Sequence, residues 1–214
     1  MEFNTPASAK IYSKLVLSVY DLWVLKISNR FFWKCPTSEQ LKYFEQFYSD
    51  NHLDIGVGTG YYLKHNSETQ LGRRLALMDI NRNSLTVAEK TLSHYKPEIY
   101  IQDILKPISQ PIQPFSSVSI SYLLHCLSGP FNKKELVFRH IKEILEPGGI
   151  LFCSTIVNQG DFNLLATRLM KTYNQKGIFG NLEDTKQNLE TTLHQHFSWV
   201  QIKMVGHVAL FAAK

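Results

Sequence analysis

The sequence predicts an α/β fold: a mostly parallel β-sheet with helices on both faces and an antiparallel hairpin at its C-terminal edge. Three observations carry this. Short apolar runs alternate with amphipathic stretches after residue 50, a glycine-rich loop follows the first of these runs, and the last two runs abut with almost no linker. Parallel strands need long crossovers that helices fill, whereas a tight turn can only join antiparallel neighbours.

The apolar runs that predict parallel strands are 52–55, 75–80, 98–104, 117–124 and 150–157. Between them the period becomes helical. Leu85, Ala88 and Leu92 share one helix face, as do Val137, Ile141, Ile144 and Leu145 on another. The runs 199–206 and 207–214 predict the hairpin, and the helix feeding it places Leu182, Leu189, Leu193 and Phe197 on one side. Residues 1–50 predict a helical N-terminal cap whose second helix opens at Thr37, with Gln40 three residues on as a capping box. Residues 158–181 interrupt the alternation, with a helix expected at 162–173 between Gly160 and Gly177. One domain is expected: the cap 1–50, a core 51–157, an insertion 158–181 that serves as a lid, and a final helix and hairpin 182–214.

Composition narrows the function. The chain has 214 residues, 44% of them hydrophobic and 19% charged, which is ordinary for a globular domain. The net charge of +5 comes from scattered basic residues, with Arg73-Arg74 and Lys133-Lys134 the adjacent pairs, so nucleic acid is not the expected partner. Three cysteines without C-x-x-C spacing fit neither a zinc knuckle nor a disulfide framework and suit a cytoplasmic protein. His194 and His196 point apart on a helix, so no metal is expected. No apolar run approaches a membrane span, the early run 15–27 being broken by Asp21 and Lys26.

The loop reads Asp54-Ile-Gly56-Val-Gly58-Thr-Gly60. A dinucleotide fingerprint has its third glycine three residues after the second; here the gap is two. The D-x-G-x-G-x-G spacing resembles the first motif of the class I S-adenosylmethionine-dependent methyltransferases. Asp79 ends the second strand, where a carboxylate can accept both hydroxyls of a ribose. Asp103 ends the third, where the resemblance places an acid near the adenine amino group. Leu145-Glu-Pro-Gly-Gly149 resembles the family's L-x-P-G-G turn into strand five. Taken singly, Asp79 is also a helix N-cap, Asp103 a turn former and Pro147-Gly148-Gly149 a plain loop. One departure stands at the start of strand four, where many relatives carry Phe-Asp and this chain has Phe115-Ser116. The resemblance implies a seven-stranded Rossmann-like methyltransferase fold, S-adenosyl-L-methionine as cofactor, and further cofactor contacts from Thr59, Ile80, Ile104 and Ser121.

For the acceptor, the segment after strand four offers His125, read either as a general base or as a structural anchor. The [DNS]-P-P-[YFW] motif of nucleobase amine methylation, the paired glutamates of protein arginine methylation and the metal-binding acids of catechol methylation are absent, which leaves a small organic acceptor. Tyr20 to Trp33 resembles, in part, the opening of ubiquinone and menaquinone biosynthesis methyltransferases. Tyr20 and Trp33 are therefore expected to line an aromatic acceptor pocket, or else to be plain core. A non-catalytic binding subunit and a nicotinamide-dependent oxidoreductase are the alternative functions; oligomeric state and the methylated atom stay open.

Overall fold

Seven strands, β1 (Asn51–Ile55), β2 (Arg74–Asp79), β3 (Glu98–Ile101), β4 (Phe115–Ser119), β5 (Leu145–Ile156), β6 (Val200–Val205) and β7 (Val208–Ala213), form one sheet in a computed structural model. Its order is β3-β2-β1-β4-β5-β7-β6. The structure describes Leu25 and residues 27–67, 73–129 and 131–214. β3, β2, β1, β4 and β5 are parallel, and β7 joins β5 and β6 antiparallel. The chain runs outward in one direction from β1 to β3 and in the other from β4 onward. The reversal between β1 and β4 opens a crevice at the C-terminal strand ends, the usual ligand position in such sheets.

Beyond a single helical turn at Asn29–Phe31, the α-helices among the described residues are α1 (Thr37–Phe47), α2 (Tyr61–His65), α3 (Arg82–Thr91), α4 (Phe131–Glu143), α5 (Leu164–Gln175) and α6 (Lys186–His196). Alternation along the strands builds two cores. Leu53, Val118 and Leu151 meet Val137 and Ile141 of α4 and Leu189 and Leu193 of α6. Leu75, Leu77 and Phe152 meet Phe44 of α1, Leu85 and Ala88 of α3 and Met170 of α5 on the other face. Because period 2 sends successive side chains to opposite faces, a sheet covered on both sides is apolar along almost every strand. Among the described residues no helix is long and apolar enough to cross a membrane.

Five local expectations change. The third strand, expected at 98–104, ends at Ile101, so Asp103 lies in the turn two residues beyond it. The fourth strand, expected to run to 124, ends at Ser119, and Leu124–Cys126 form a 3-10 turn. Its tail leaves the sheet because Tyr122 takes a left-handed φ of 59°, which no strand accommodates. The Pro147-Gly148-Gly149 turn is instead a bulge inside β5: Phe115 pairs with Leu145 but Ser117 with Ile150, and Gly148 absorbs the extra length at φ 78°. The capping box at Thr37 does not form. Thr37 donates to the carbonyl of Leu25, while the Gln40 side chain turns to two tyrosines. Leu182 is 58% exposed because its helix starts only at Lys186, capped by Thr185, whose hydroxyl accepts from the Asn188 N–H at 3.1 Å. Ser116, where relatives carry aspartate, donates to Glu146 (2.6 Å) at the start of β4, away from the crevice.

Candidate functional site

The crevice at the ends of β1, β2 and β4 is a cavity. Its wall contains Asp54, Gly56, Gly58, Thr59, Asp79, Ile80, Asp103, Ile104 and Ser121, so four separated segments of the chain are brought to one place, while the Leu145–Gly149 motif lies elsewhere. Gly56 and Gly58 have φ of 76° and 54°. A Cβ on Gly56 would lie 3.0 Å from the Leu123 side chain, whereas one on Gly58 would meet nothing within 4 Å. The Gly58 backbone is therefore bare toward the cavity. Gly60 does not line it. At φ 75° it stands just before α2, and a Cβ there would lie 3.2 Å from the side chain of Leu92, which caps α3, and 3.5 Å from Ala88 of α3, so its bareness serves helix packing.

Two carboxylates face the cavity, Asp54 buried and Asp79 half-buried. Asp79 Oδ1 accepts from the Asn81 N–H (2.8 Å), and the helix N-cap is Asn81, not Asp79. Burial pushes the Asp79 carboxyl up to about 6, against four backbone N–H groups, those of Asn81, Ile80, Gly58 and Val57. Burial likewise pushes Asp54 up to about 7; the Ser119 hydroxyl opposes the shift and the Asp79 charge adds to it. No ion pair among the described residues involves either group. Two such acids are suited to a ligand that brings hydroxyl donors and a cation. That is the chemistry of a ribose and an ammonium group, so the residues fit S-adenosylmethionine. Asp103 does both things the sequence allows: it lines the cavity, and its Oδ1 accepts from the Leu105 N–H (3.0 Å) as a turn former.

The wall under β4 differs. Tyr122, Leu123, Cys126 and Leu127 come from the loop after β4, Tyr62 from α2, and Leu25 from the cap. Gln40 spans this wall from α1. Its amide nitrogen donates to Tyr122 Oη (3.0 Å), and its carbonyl accepts from the Tyr62 hydroxyl (2.7 Å). The left-handed backbone of Tyr122 is fixed by its N–H on the Ser154 carbonyl (2.7 Å). Replacing Gln40 by Ala is expected to cost about 1 to 3 kcal/mol of stability, since two phenols lose a buried partner. Urea denaturation checks this, and an unchanged midpoint would contradict it.

His125 and Trp33 are not on the cavity wall. His125 is 2% exposed, its Nδ1 accepts from the Ile156 N–H (3.3 Å), and its ring meets Tyr122 and Phe179 edge-on. Burial and then the Lys134 charge push its pKa down to about 3. Trp33 is 1% exposed between Phe162 and Phe179, and its carbonyl accepts from the His207 N–H (2.8 Å). Tyr20 lies outside the described residues. No residue of 158–181 lines the cavity; that segment packs behind the loop after β4, with Phe179 on His125. Tyr62, Gln102 and Tyr122 on the wall, and Gln40 behind it, were not foreseen. The left-handed turn at Tyr122 carries no glycine or asparagine to announce it.

Comparisons with known proteins agree with this geometry. The family described as "Methyltransferase domain" matches residues 53–151. The putative uncharacterized protein YbcY of Escherichia coli K12 is 41% identical over 87% of this chain and 97% of its own. The physcion biosynthesis cluster O-methyltransferase of Aspergillus chevalieri is 35% identical over 98% and 95%. Among solved structures, the N-methyltransferase NodS from Bradyrhizobium japonicum, in complex with S-adenosyl-L-homocysteine, superposes with a TM-score of 0.65 at 14% identity, covering 97% of each chain.

Proposed function

Since the chain belongs to the class I S-adenosylmethionine-dependent methyltransferases and methylates a small organic molecule, we propose that the atom methylated is a hydroxyl oxygen on a compact aromatic compound of natural-product type. The observation that carries this is the wall under β4. Leu25, Tyr62, Tyr122, Leu123, Cys126 and Leu127 make it apolar and aromatic, Ser121 and Ser128 add uncharged hydroxyls, and the three acids of the cavity stand at or just beyond the ends of β1, β2 and β3 instead. A charged acceptor would meet no counter-ion there, whereas an aromatic ring would bury its faces. The physcion-cluster relative, named an O-methyltransferase, supports oxygen as the atom.

The bound cofactor supplies a methyl group on a sulfonium, which needs alignment more than activation. The chain's part is positioning. Asp79 takes the ribose hydroxyls, Asp54 faces the ammonium, and the bare backbone at Gly58 admits the ligand closely. The aromatic wall keeps water away from the acceptor.

We read His125 as an anchor for the loop after β4, the second of its two possible roles. Its Nδ1 lone pair is engaged, its ring stays neutral far below pH 7, and it stands behind Tyr122. A base is most effective with a pKa near the working pH. His125→Gln is therefore expected to lower stability while the pH profile of methyl transfer keeps its shape, following the ionisation of the acceptor hydroxyl. Loss of a limb of that profile would reinstate His125 as the base. With Cys35, Cys126 and Cys153 outside any disulfide, we place the enzyme in the cytoplasm. The acceptor test incubates the protein with a deuterated-methyl donor and matched phenols, aryl amines and aryl thiols. Mass spectrometry is expected to find label on the phenols; label on amines or thiols alone would overturn the assignment.

A further inference from the structure

A line of polar side chains runs through the apolar layer between β1 and α1. His52 and Asp54 lie two apart on β1 and pair in register with Ser117 and Ser119 of β4, so all four side chains share one face. The Ser119 hydroxyl donates to Asp54 Oδ1 (2.5 Å) and lies 3.1 Å from His52 Nε2. His52 Nδ1 is 2.8 Å from Ser117 Oγ, which is 2.7 Å from Ser49 Oγ. His52, Ser117 and Ser119 are fully buried, Asp54 lines the cavity, and Ser49 is half-buried at the other end of β1. Packing alone would be met by valines or leucines here. Instead each polar side chain is met by the next, and at the outer end the Ser49 N–H donates to Ser117 Oγ (3.2 Å) while the Ser49 hydroxyl also reaches the Asn51 carbonyl (3.2 Å).

Such a chain has two self-consistent polarities. With Asp54 ionised, Ser119 donates to it, His52 holds its proton on Nε2 toward Ser119, and Nδ1 accepts from Ser117. With Asp54 protonated every bond reverses, and His52 holds its proton on Nδ1. The tautomer of His52 thus reports the state of Asp54.

We propose that His52, acting through Ser119, is a positioning residue for Asp54, and that the line from Asp54 to Ser49 carries to solvent the proton Asp54 gives up when a cationic ligand enters. The Asp54 O–H bond breaks as Ser119 takes that proton, and Ser119 passes its own hydrogen to Nε2. Nδ1 releases one to Ser117, Ser117 passes one to Ser49, and Ser49 gives one to water. The carboxyl loses one proton, solvent gains one, and His52 is neutral before and after. The groups facing the line are Asp79 of β2, across from Asp54, and Phe44, Tyr48 and Phe152, which pack on His52 from α1, its C-terminal end and β5. Burial keeps His52 at about 3, hence neutral, and Asp54 at about 7, poised to change state near neutrality. The inference rests on the cofactor reading in one respect, that the cation is the ammonium group of S-adenosylmethionine or its demethylated product.

The test titrates the ¹⁵N-histidine-labelled protein with S-adenosylhomocysteine, with calorimetry in two buffers of different ionisation enthalpy. At about pH 6 binding is expected to release roughly one proton, falling toward none at about pH 8, and to move the His52 proton from Nδ1 to Nε2. Asp79 also titrates near 6, so the proton count does not say which acid gave it up; the tautomer does. Ser119→Ala is expected to bind the ligand with no tautomer response. Ser117→Ala, a second variant, is expected to hold the Nε2 tautomer throughout. A wild-type His52 that keeps one tautomer while calorimetry shows binding would overturn the proposal and leave the cofactor reading intact. So would a normal switch in Ser119→Ala. Absence of binding at any pH would overturn both.

Discussion

Replacing Lys134 by Met is expected to destabilise the protein by about 3 to 5 kcal/mol, because it strands a buried carboxylate. Lys134 on α4 is fully buried, its Nζ lies 2.5 Å from Asp184 Oδ2, and it also donates to the Gly180 carbonyl (3.0 Å). Burial pushes the Asp184 carboxyl up to about 6 and the Lys134 amine down, and the ion pair opposes both shifts. The pair is therefore costly to break rather than strongly favourable to make. Lys134→Met with Asp184→Leu is expected to recover most of the loss, since it removes both charges. Thermal unfolding of a chain this long should register the single change as a fall of roughly 6 to 20 °C. A fall of a degree or two would show that the pair carries little. The consequence reaches the site, because the Gly180 N–H donates to the His125 carbonyl (2.9 Å) in the loop that bears Tyr122.

Asp79→Ala is expected to weaken S-adenosylhomocysteine by about 1.5 to 3 kcal/mol, roughly ten- to a hundredfold, through loss of charge-assisted bonds to the ribose. The pH dependence has a definite sign. The carboxyl holds its proton up to about 6 in the free protein, above its ordinary value, so a ligand that prefers the ionised form binds more weakly as pH falls through 6. In the variant that dependence should shrink, and Asp54, freed of a like-charged neighbour, should titrate lower. Calorimetry between about pH 5 and 8 checks both. Unchanged affinity in Asp79→Ala would remove Asp79 from the ribose.

The cofactor half of the cavity was readable in the chain because it is built from local features. A strand end, a tight turn and a helix start are short-range events, so Gly56, Gly58 and Asp79 declare themselves by spacing. The acceptor half was not. Gln40 has the spacing of a capping residue, yet it bonds Tyr122, a partner far along the sequence that only the folded sheet brings near. His125 follows strand four as a base would. Its role turns on Phe179 from the insertion and on the Ile156 N–H, neither of which a local pattern reveals.

By itself, then, the sequence determined the seven strands, the reversed hairpin and the glycine loop with Asp54 and Asp79 around it, because hydrophobic period and backbone freedom belong to neighbouring residues. Only the tertiary structure decided what buried polar groups do. His52, Ser117 and Ser119 are unremarked in sequence, but register pairing between β1 and β4 makes them one hydrogen-bonded line to Asp54. Lys134, in one of the adjacent basic pairs of the sequence, is buried with Asp184, which arrives from another part of the chain. For Trp33 the sequence left pocket wall and core both open, and two phenylalanines of the insertion pack against it, leaving it 1% exposed. Burial and hydrogen-bond partnership are properties of contacts between distant segments, and those contacts set the pKa, and with it the chemistry, of each side chain.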